Sequence, residues 1–585
     1  MSSPRGGTAR TAPPGRNPAP QPAPPPGPNP EPDSTGLVPY PAEVAARYRA
    51  AGLWRGHSLP AELMAAARAH GDRTALITPE VRWSYAELSA TAERFAAGLL
   101  ARTRLRPGDA VMFQMGNVAE TVVTYLGCLL AGIRPVCTLP QHGTREVAVL
   151  ARHLGARGLV LQADFGRGQL PEQARALLAE GVIEEAVVVR GEVFGKAVGY
   201  GELLRAGTGN DPGTLPYHSR PPEGVAVFQL SGGTTGLPKI APRQHEEYAY
   251  NGALWGRTLG WGEGTVVLYP LPIMHNAGVS LALQPALLSG AALVLAPSAD
   301  IGTLLDLIER TRPQVLPLVP PALAIRLLEE PRSHRTDLSC LTDFIVGGQK
   351  LPLEVAERLR DELGIAVRQK FGMAEGMFLL TPSGAGEWIR HHTVGTPLSP
   401  LDEIRILRPG TEDEVPDGEI GELCVRGPYT IRGYYRAERH NASAFTLDGF
   451  YRTGDLARRH RLGGAPCYSI DGRIKDVINR GVEKIHADEV EDLVMRHPDV
   501  AHVALVAMPD PVLGERACAY LVMEPGRAPL TVATLGAFLL GEGLARYKLP
   551  ERVESVDALP LSNVGKVSKK ELRQDIETKL AAETV

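Results

Sequence analysis

VAVFQLSGGTTGLPK, residues 225–239, is an apolar, β-branched run that breaks into a glycine-rich loop. The run has the character of a buried strand. The loop holds Gly232, Gly233 and Gly236, the hydroxyls of Ser231, Thr234 and Thr235, and then Lys239. Glycines let a backbone come close to an anion, and successive N–H groups with Ser and Thr hydroxyls can wrap phosphate oxygens. Lys239 adds a point charge. Taken alone, such a loop is as readily a plain turn as a phosphate cradle. It is not the P-loop of common nucleoside triphosphatases, which needs lysine directly after glycine; here Leu237 and Pro238 intervene.

On both sides of the loop, strands alternate with helices. AELSATAERFAAGLLAR (86–102) has helical apolar spacing, AVMFQM (110–115) reads as a strand, ETVVTYLGCLLAG (120–132) as a helix and RPVCTL (134–139) as a strand. The rhythm returns in TLLDLIERTRP then QVLPLVP, and in LEVAERLRDELG then IAVRQKF. Short apolar strands between amphipathic helices imply parallel-rich sheets flanked by helices, an α/β fold. From about residue 476 the pattern changes to HADEVEDLVMRHP (helix), AHVALVAMPD and ACAYLVME (strands) and TVATLGAFLLGEGL (helix), enough for a small α+β domain. Three segments are expected: a disordered Pro-rich tail over 1–38, a large domain over 39–474 and a small domain over 475–585. The tail is too poor in apolar residues to offset its ordering entropy.

The 585 residues are 44% hydrophobic and 22% charged, with a net charge of −4, which gives no electrostatic footing for nucleic acid or a membrane surface. No apolar run reaches the roughly 18 residues of a membrane span, and the N-terminal arginines precede no apolar core. Six scattered cysteines form no CxxC pair and read as buried, reduced thiols. A cytoplasmic protein is expected.

Four further motifs follow the loop in order: FGMAEG (371–376), YRTGD (451–455), RIKDVINRGVEKI (473–485) and Gly565-Lys566 in LSNVGKVSKKEL. With SGGTTGLPK, this series closely resembles the adenylate-forming superfamily of acyl-CoA ligases, luciferases and adenylation domains of non-ribosomal peptide synthetases, over roughly residues 45–575. IAPRQHEEYAYN (240–251), LPIMHNAG (271–278), GPYTIRGYYRAERHNASAFTLDGFYRTGD (427–455) and DVINRGVEKIHADEVE (476–491) resemble the stand-alone aryl-acid AMP ligases of siderophore and related pathways. The resemblance implies a large domain with a small distorted barrel beside its sheets, and a small mobile C-terminal domain carrying the catalytic lysine.

It also implies roles. Ser231, Gly232, Gly233, Thr234, Thr235, Gly236 and Lys239 would hold the β- and γ-phosphates of ATP, and Glu375 would be the Mg²⁺ ligand, a hard oxygen suited to a cation already carrying phosphate oxygens. Asp455 would accept from the ribose hydroxyls, Arg473 would touch ribose or phosphate, and Gly347, Gly348 and Gln349 would line the adenine face and the floor of the acid pocket. Lys566 would reach both the substrate carboxylate and the α-phosphate. Lys569 and Lys570 would form an exposed basic helix start, Lys475 would be the inter-domain hinge, and Gly481 would face the thiol tunnel, with Val482 beside it where close relatives usually carry glycine.

His275, Asn276, Ala277, Ser280, Gly348, Gly372, Met373 and Phe378 would bind the acid, with His275 also counted as catalytic. General amino-acid adenylation domains carry an aspartate where this chain has Asn276. An amide can bond a hydroxyl or amino group but cannot neutralise an α-ammonium, which favours an aryl acid with an ortho-hydroxy or ortho-amino group. Ala277 stands where an aromatic is usual, and Phe378-Leu379 replace a smaller aliphatic and an asparagine. This pattern points away from plain 2,3-dihydroxybenzoate and leaves salicylate-like acids, 3-hydroxyanthranilate, 3-hydroxypicolinate and bicyclic aryl acids open. Only 19 residues follow Lys566, so the thiol is expected on a separate aryl carrier protein's phosphopantetheine arm or on coenzyme A. A non-catalytic adenylate-fold binding protein is the remaining alternative.

Overall fold

The computed structural model describes residues 29–583 except 167, 232–238, 463–464, 481–482, 511–512, 543, 545 and 562–565, and leaves the side chains of 479, 483 and 484 aside. Two large sheets form the body of the chain. One has nine strands, running from Thr396–Pro397 through Gly376–Leu380, Val367–Met373, Asp343–Gly347, Val315–Val319, Val266–Tyr269, Ala292–Leu295 and Thr74–Ile77 to Arg82–Ser84. The other has seven, with Ala110–Gln114 near its middle and Val225–Ser231 and Lys239–Gln244 at one edge. Most pairings are parallel, as the strand–helix alternation requires.

The helices begin where the local chemistry says. Tyr85–Arg102 opens on a capping box, in which Ser84 Oγ accepts the Glu87 N–H at 3.1 Å and Glu87 returns the favour to Ser84 N–H at 2.8 Å. Its buried face, Leu88, Ala92, Phe95 and Leu99, repeats at helical spacing and packs into the largest apolar cluster.

Where a small distorted barrel was expected, the described residues form an open four-stranded antiparallel sheet of Glu403–Leu407, Gly421–Arg426, Tyr451–His460 and Cys467–Arg473, whose two end strands do not pair with each other. After the turn Ile474–Asp476 the chain enters a five-stranded sheet, Val477–Arg480, Glu483–His486, Val500–Asp510, Gly514–Met523 and Arg552–Ser555, covered by Ala487–Val494, Val532–Gly541 and Lys569–Glu583. The six cysteines are unpaired and five are buried. No described helix is long and apolar enough to cross a membrane.

One expected boundary moves. A disordered tail is expected through residue 38, yet Asn29–Val38 lie against the large domain. Asn29 Nδ2 donates to the Arg432 carbonyl at 2.9 Å, Asp33 closes a turn through Thr35, and Leu37 and Val38 are each 4% exposed. Residues 1–28 lie outside the described part.

Candidate active site

The large sheets, the four-stranded sheet and the small domain meet at one cleft. Ser231 ends its strand opposite Lys239, so the loop between them, with Gly232, Gly233, Thr234, Thr235 and Gly236, leaves and re-enters the sheet at adjacent positions; the loop itself lies outside the described residues. Glu375 is 3% exposed. Its Oε1 accepts from Ser231 Oγ at 2.5 Å, from the Tyr434 hydroxyl and from the Tyr451 hydroxyl at 3.3 Å. Lys239 lies over the Tyr434 ring, 5.3 Å from its centroid, and its pKa is lowered by burial with Glu375 opposing. One carboxylate surrounded by hydroxyls fits a hard cation whose other ligands are phosphate oxygens and water, because Mg²⁺ is usually held by one or two carboxylates plus its substrate. Among the described residues no cluster of three or more acidic, His or Cys side chains offers an all-protein cage.

Arg243 holds this turn from behind. It is wholly buried, pairs with Glu247 at 2.7 Å, and donates to the Ala374 carbonyl at 3.0 Å and the Tyr429 carbonyl at 3.1 Å. Removing one partner of such a pair leaves an uncompensated buried charge, at a cost of about 3–5 kcal/mol.

Asp455 and Arg473 are cross-strand partners in the four-stranded sheet, with Arg473 Nε 2.8 Å from Asp455 Oδ1. Burial raises the Asp455 pKa, while Arg473 and then Lys566 favour its charged form. Lys566, from the small domain, comes to the same place: a Cβ built on Gly348 would meet its Cε at 3.4 Å. Gly348 has φ +92°, a conformation that itself favours glycine. Burial and then Arg473 lower the Lys566 pKa to about 8. Gly347 ends its buried strand, and Gln349 follows on the exposed loop.

Lys475 sits on the turn Ile474–Asp476, between the last strand of the four-stranded sheet and the first of the small domain. Across the same junction Lys350 pairs with Asp492. Gly481 and Val482 lie outside the described residues. The exposed basic helix start is corrected at its first position: Lys569 pairs with Glu491 at 2.7 Å and is 16% exposed, drawn inward by that half-buried carboxylate, while Lys570 is exposed.

The acid side of the cleft is apolar with a few polar groups. His275 caps the short helix Asn276–Gly278, its Nδ1 accepting the Ala277 N–H at 3.3 Å, which leaves the proton on Nε2. Burial, then Lys566, lowers its pKa to about 4. It is therefore a neutral imidazole at pH 7, suited to donating a hydrogen bond rather than to exchanging a proton. Asn276 is 7% exposed; its Nδ2 donates to the Met373 carbonyl at 3.4 Å and its Oδ1 has no partner among the described residues. Ala277 and Phe378 belong to one apolar cluster, and Phe378 meets Trp255 edge-on at 5.5 Å. Gly372 lies opposite Phe378 in register, and a Cβ there would come within 2.4 Å of the Phe378 ring.

Two residues expected to bind the acid, Ser280 and Met373, behave differently, as does Leu379 beside Phe378. The Ser280 hydroxyl donates to the Asn276 carbonyl one turn back at 2.6 Å, so its proton is spent on the backbone. Met373 and Leu379 turn their side chains to the four-stranded-sheet cluster, because they alternate with residues facing the pocket; Met373 offers only its carbonyl, and Leu379 does not close the acid wall. Arg243, Tyr434, Tyr451 and Lys370 were not picked out from the sequence. The tyrosines lay inside quoted motifs, and a lysine inside the apolar run IAVRQKF was the available signal for Lys370.

Residues 63–435 match the AMP-binding enzyme family, and residues 489–566 match that family's C-terminal domain. This chain is an AMP-binding enzyme. It is 40% identical over 550 residues to a salicylyl-CoA synthase / salicylate adenylyltransferase from a Streptomyces species, covering 93% of this chain and 98% of that one. It is 39% identical over 548 residues to the 2,3-dihydroxybenzoate-AMP ligase of Bacillus subtilis (strain 168), covering 94% and 99%. Among solved structures, apo MbtA of Mycobacterium smegmatis is similar at TM-score 0.69 and 37% identity, over 92% of this AMP-binding enzyme and 98% of that chain. As an AMP-binding enzyme it has its two matched regions on either side of the Lys475 turn, and the second ends on Lys566.

Proposed function

We propose that this enzyme activates an ortho-hydroxy or ortho-amino aryl acid with ATP, releasing pyrophosphate, and passes the acyl group from AMP to a thiol. The observation that carries this reading is Lys566 over Gly348, close enough to act on the Asp455–Arg473 pair and on His275 and Lys370 alike. In the first half-reaction a carboxylate oxygen attacks the α-phosphorus and the bond to pyrophosphate breaks. An anion must meet a polyanion there, so a preorganised cation between them is the main requirement, and Lys566 meets it. Lys239 and the loop 231–236 would cradle the outer phosphates. Asp455 would take the ribose hydroxyls through the oxygen not turned to Arg473. Mg²⁺, held through Glu375, would neutralise phosphate charge when bound.

In the second half-reaction the thiol sulfur attacks the acyl carbon, the bond to AMP oxygen breaks and the thiol proton is lost. Lys475 would be the hinge on which the small domain turns between the two geometries, since a few residues at an element end can absorb such a rotation. The acceptor is the phosphopantetheine thiol of a separate aryl carrier protein, as in siderophore-type assembly. Coenzyme A is the second reading, favoured by the double name of the Streptomyces relative. Pyrophosphate exchange dependent on added aryl acid tests the first step, with no exchange for any aryl acid as the contrary result. Supplying coenzyme A and phosphopantetheinylated carrier proteins in turn separates the acceptors.

A further inference from the structure

Lys370 lies in the strand Val367–Met373, flanked in register by Gly347 and Leu380. Two residues before Gly372, it shares that residue's face, toward Phe378 and the acid side of the cleft. It is 8% exposed. Its amine stands 4.8 Å from the centre of the Phe378 ring, and no hydrogen bond or ion pair joins it to another described residue. The charged and titratable groups acting around it do not help: Lys566 is a like charge, and His275 is neutral. An ammonium taken out of water without a carboxylate is expensive, and a cation–π contact worth about 0.5–2 kcal/mol does not restore its lost hydration. Burial and Lys566 together hold its pKa at about 7, as expected for a cation awaiting a counter-group.

The substrate carboxylate and the α-phosphate already have Lys566. Asn276 Oδ1 awaits a donor and Lys370 awaits an acceptor, so the same pocket presents two different unmet demands. Resting on the aryl-acid reading above, we infer that Lys370 is a specificity-determining residue that binds a second anionic oxygen group on the aryl ring, a carboxylate or an acidic phenol, in addition to the ortho donor read by Asn276.

The test is kcat/KM for pyrophosphate exchange in the wild type, Lys370→Met and Lys370→Gln. The acids are 2-hydroxybenzoate, 2,4-dihydroxybenzoate, 4-hydroxyisophthalate and 2-hydroxyterephthalate, which place a phenol or a carboxylate at different ring positions. The wild type should prefer at least one of the three substituted acids over 2-hydroxybenzoate by tenfold or more. Lys370→Met should cut that preference at least tenfold while 2-hydroxybenzoate changes less than threefold. Lys370→Gln, an uncharged donor, should fall between if the group is a phenol and match Met if it is a carboxylate. The inference is overturned if 2-hydroxybenzoate is as good as every substituted acid, or if both variants slow all four acids in parallel. Thermal melting checks folding, and Met is expected to be tolerated because it removes a desolvated charge from beside an aromatic ring. Should no aryl acid support exchange in the wild type, the aryl-acid reading itself fails, a result distinct from exchange that ignores Lys370.

Discussion

The two halves of the cleft are built on opposite plans. On the nucleotide side most of the charged side chains have polar partners within the protein: Asp455 with Arg473, Glu375 with Ser231, Tyr434 and Tyr451, and Arg243 with Glu247, while Lys239 lies over the Tyr434 ring. On the acid side the polar atoms have few. Asn276 Oδ1 and the Lys370 amine lack hydrogen-bond partners among the described residues, and His275 is held neutral. A group shared by many reactions can be met by a prearranged, self-consistent network. A group that differs between substrates is met by atoms left incomplete until the right one arrives, since leaving them unsatisfied penalises the wrong one.

The sharpest way to break this contrast is at the lysine that joins the halves. Lys566→Ala should lower adenylation by about 10²-fold or more, about 3 kcal/mol, while thioester formation from supplied acyl-AMP is largely spared. Single-turnover measurement of the two steps checks it, and equal losses in both would make Lys566 a structural residue.

A smaller effect comes from pH. The Lys566 pKa of about 8 is depressed by burial and Arg473, and the ammonium is the active form. With benzoate, whose ring offers Lys370 no acceptor, kcat/KM for exchange should hold below that pKa and fall toward tenfold per pH unit above it. Lys566→Arg, slower overall, should lose that fall because guanidinium stays charged. His275 at about 4 should contribute no limb between pH 5 and 8. A profile in Lys566→Arg that still turns down near 8 would assign the limb to another group.

The smallest effect expected is at the N-terminus. Deleting residues 1–28 should leave exchange within about twofold, because such a proline-rich run adds no transition-state contact. Extending the deletion to residue 38 should lower the melting temperature, because it exposes the sites that Leu37 and Val38 fill. A shorter deletion as damaging as the longer would refute the boundary at Asn29.

The nucleotide half was the more legible in the sequence, for the same reason that it is self-contained. SGGTTGLPK, FGMAEG and YRTGD are each short unbroken runs, so the resemblance could be read from them, and the fold sets Ser231 and Asp455 close to Glu375. The sheets were legible because runs such as AVMFQM and QVLPLVP have strand length and sit between amphipathic helices. The acid half was only partly so, because its wall is made of single residues from distant strands and a one-residue alternation decides their direction. That alternation sends Met373 and Leu379 to the other face and sets Lys370 against the Phe378 ring. Ser280 could not be read either, since its bond to the Asn276 carbonyl depends on the local helix geometry.

The most direct test of the contrast is the specificity of Asn276. The measurement is kcat/KM for pyrophosphate exchange with 2-hydroxybenzoate and with benzoate, in the wild type, Asn276→Ala and Asn276→Asp. If Asn276 Oδ1 accepts from the ortho group, its loss strands a buried donor at roughly 1–3 kcal/mol, and the preference for the ortho acid should fall by up to about 100-fold while benzoate changes far less. Asn276→Asp, which adds a negative charge, should penalise both acids. Parallel losses for the two acids in Asn276→Ala would contradict the account, because Asn276 would then support the pocket wall without reading the substrate.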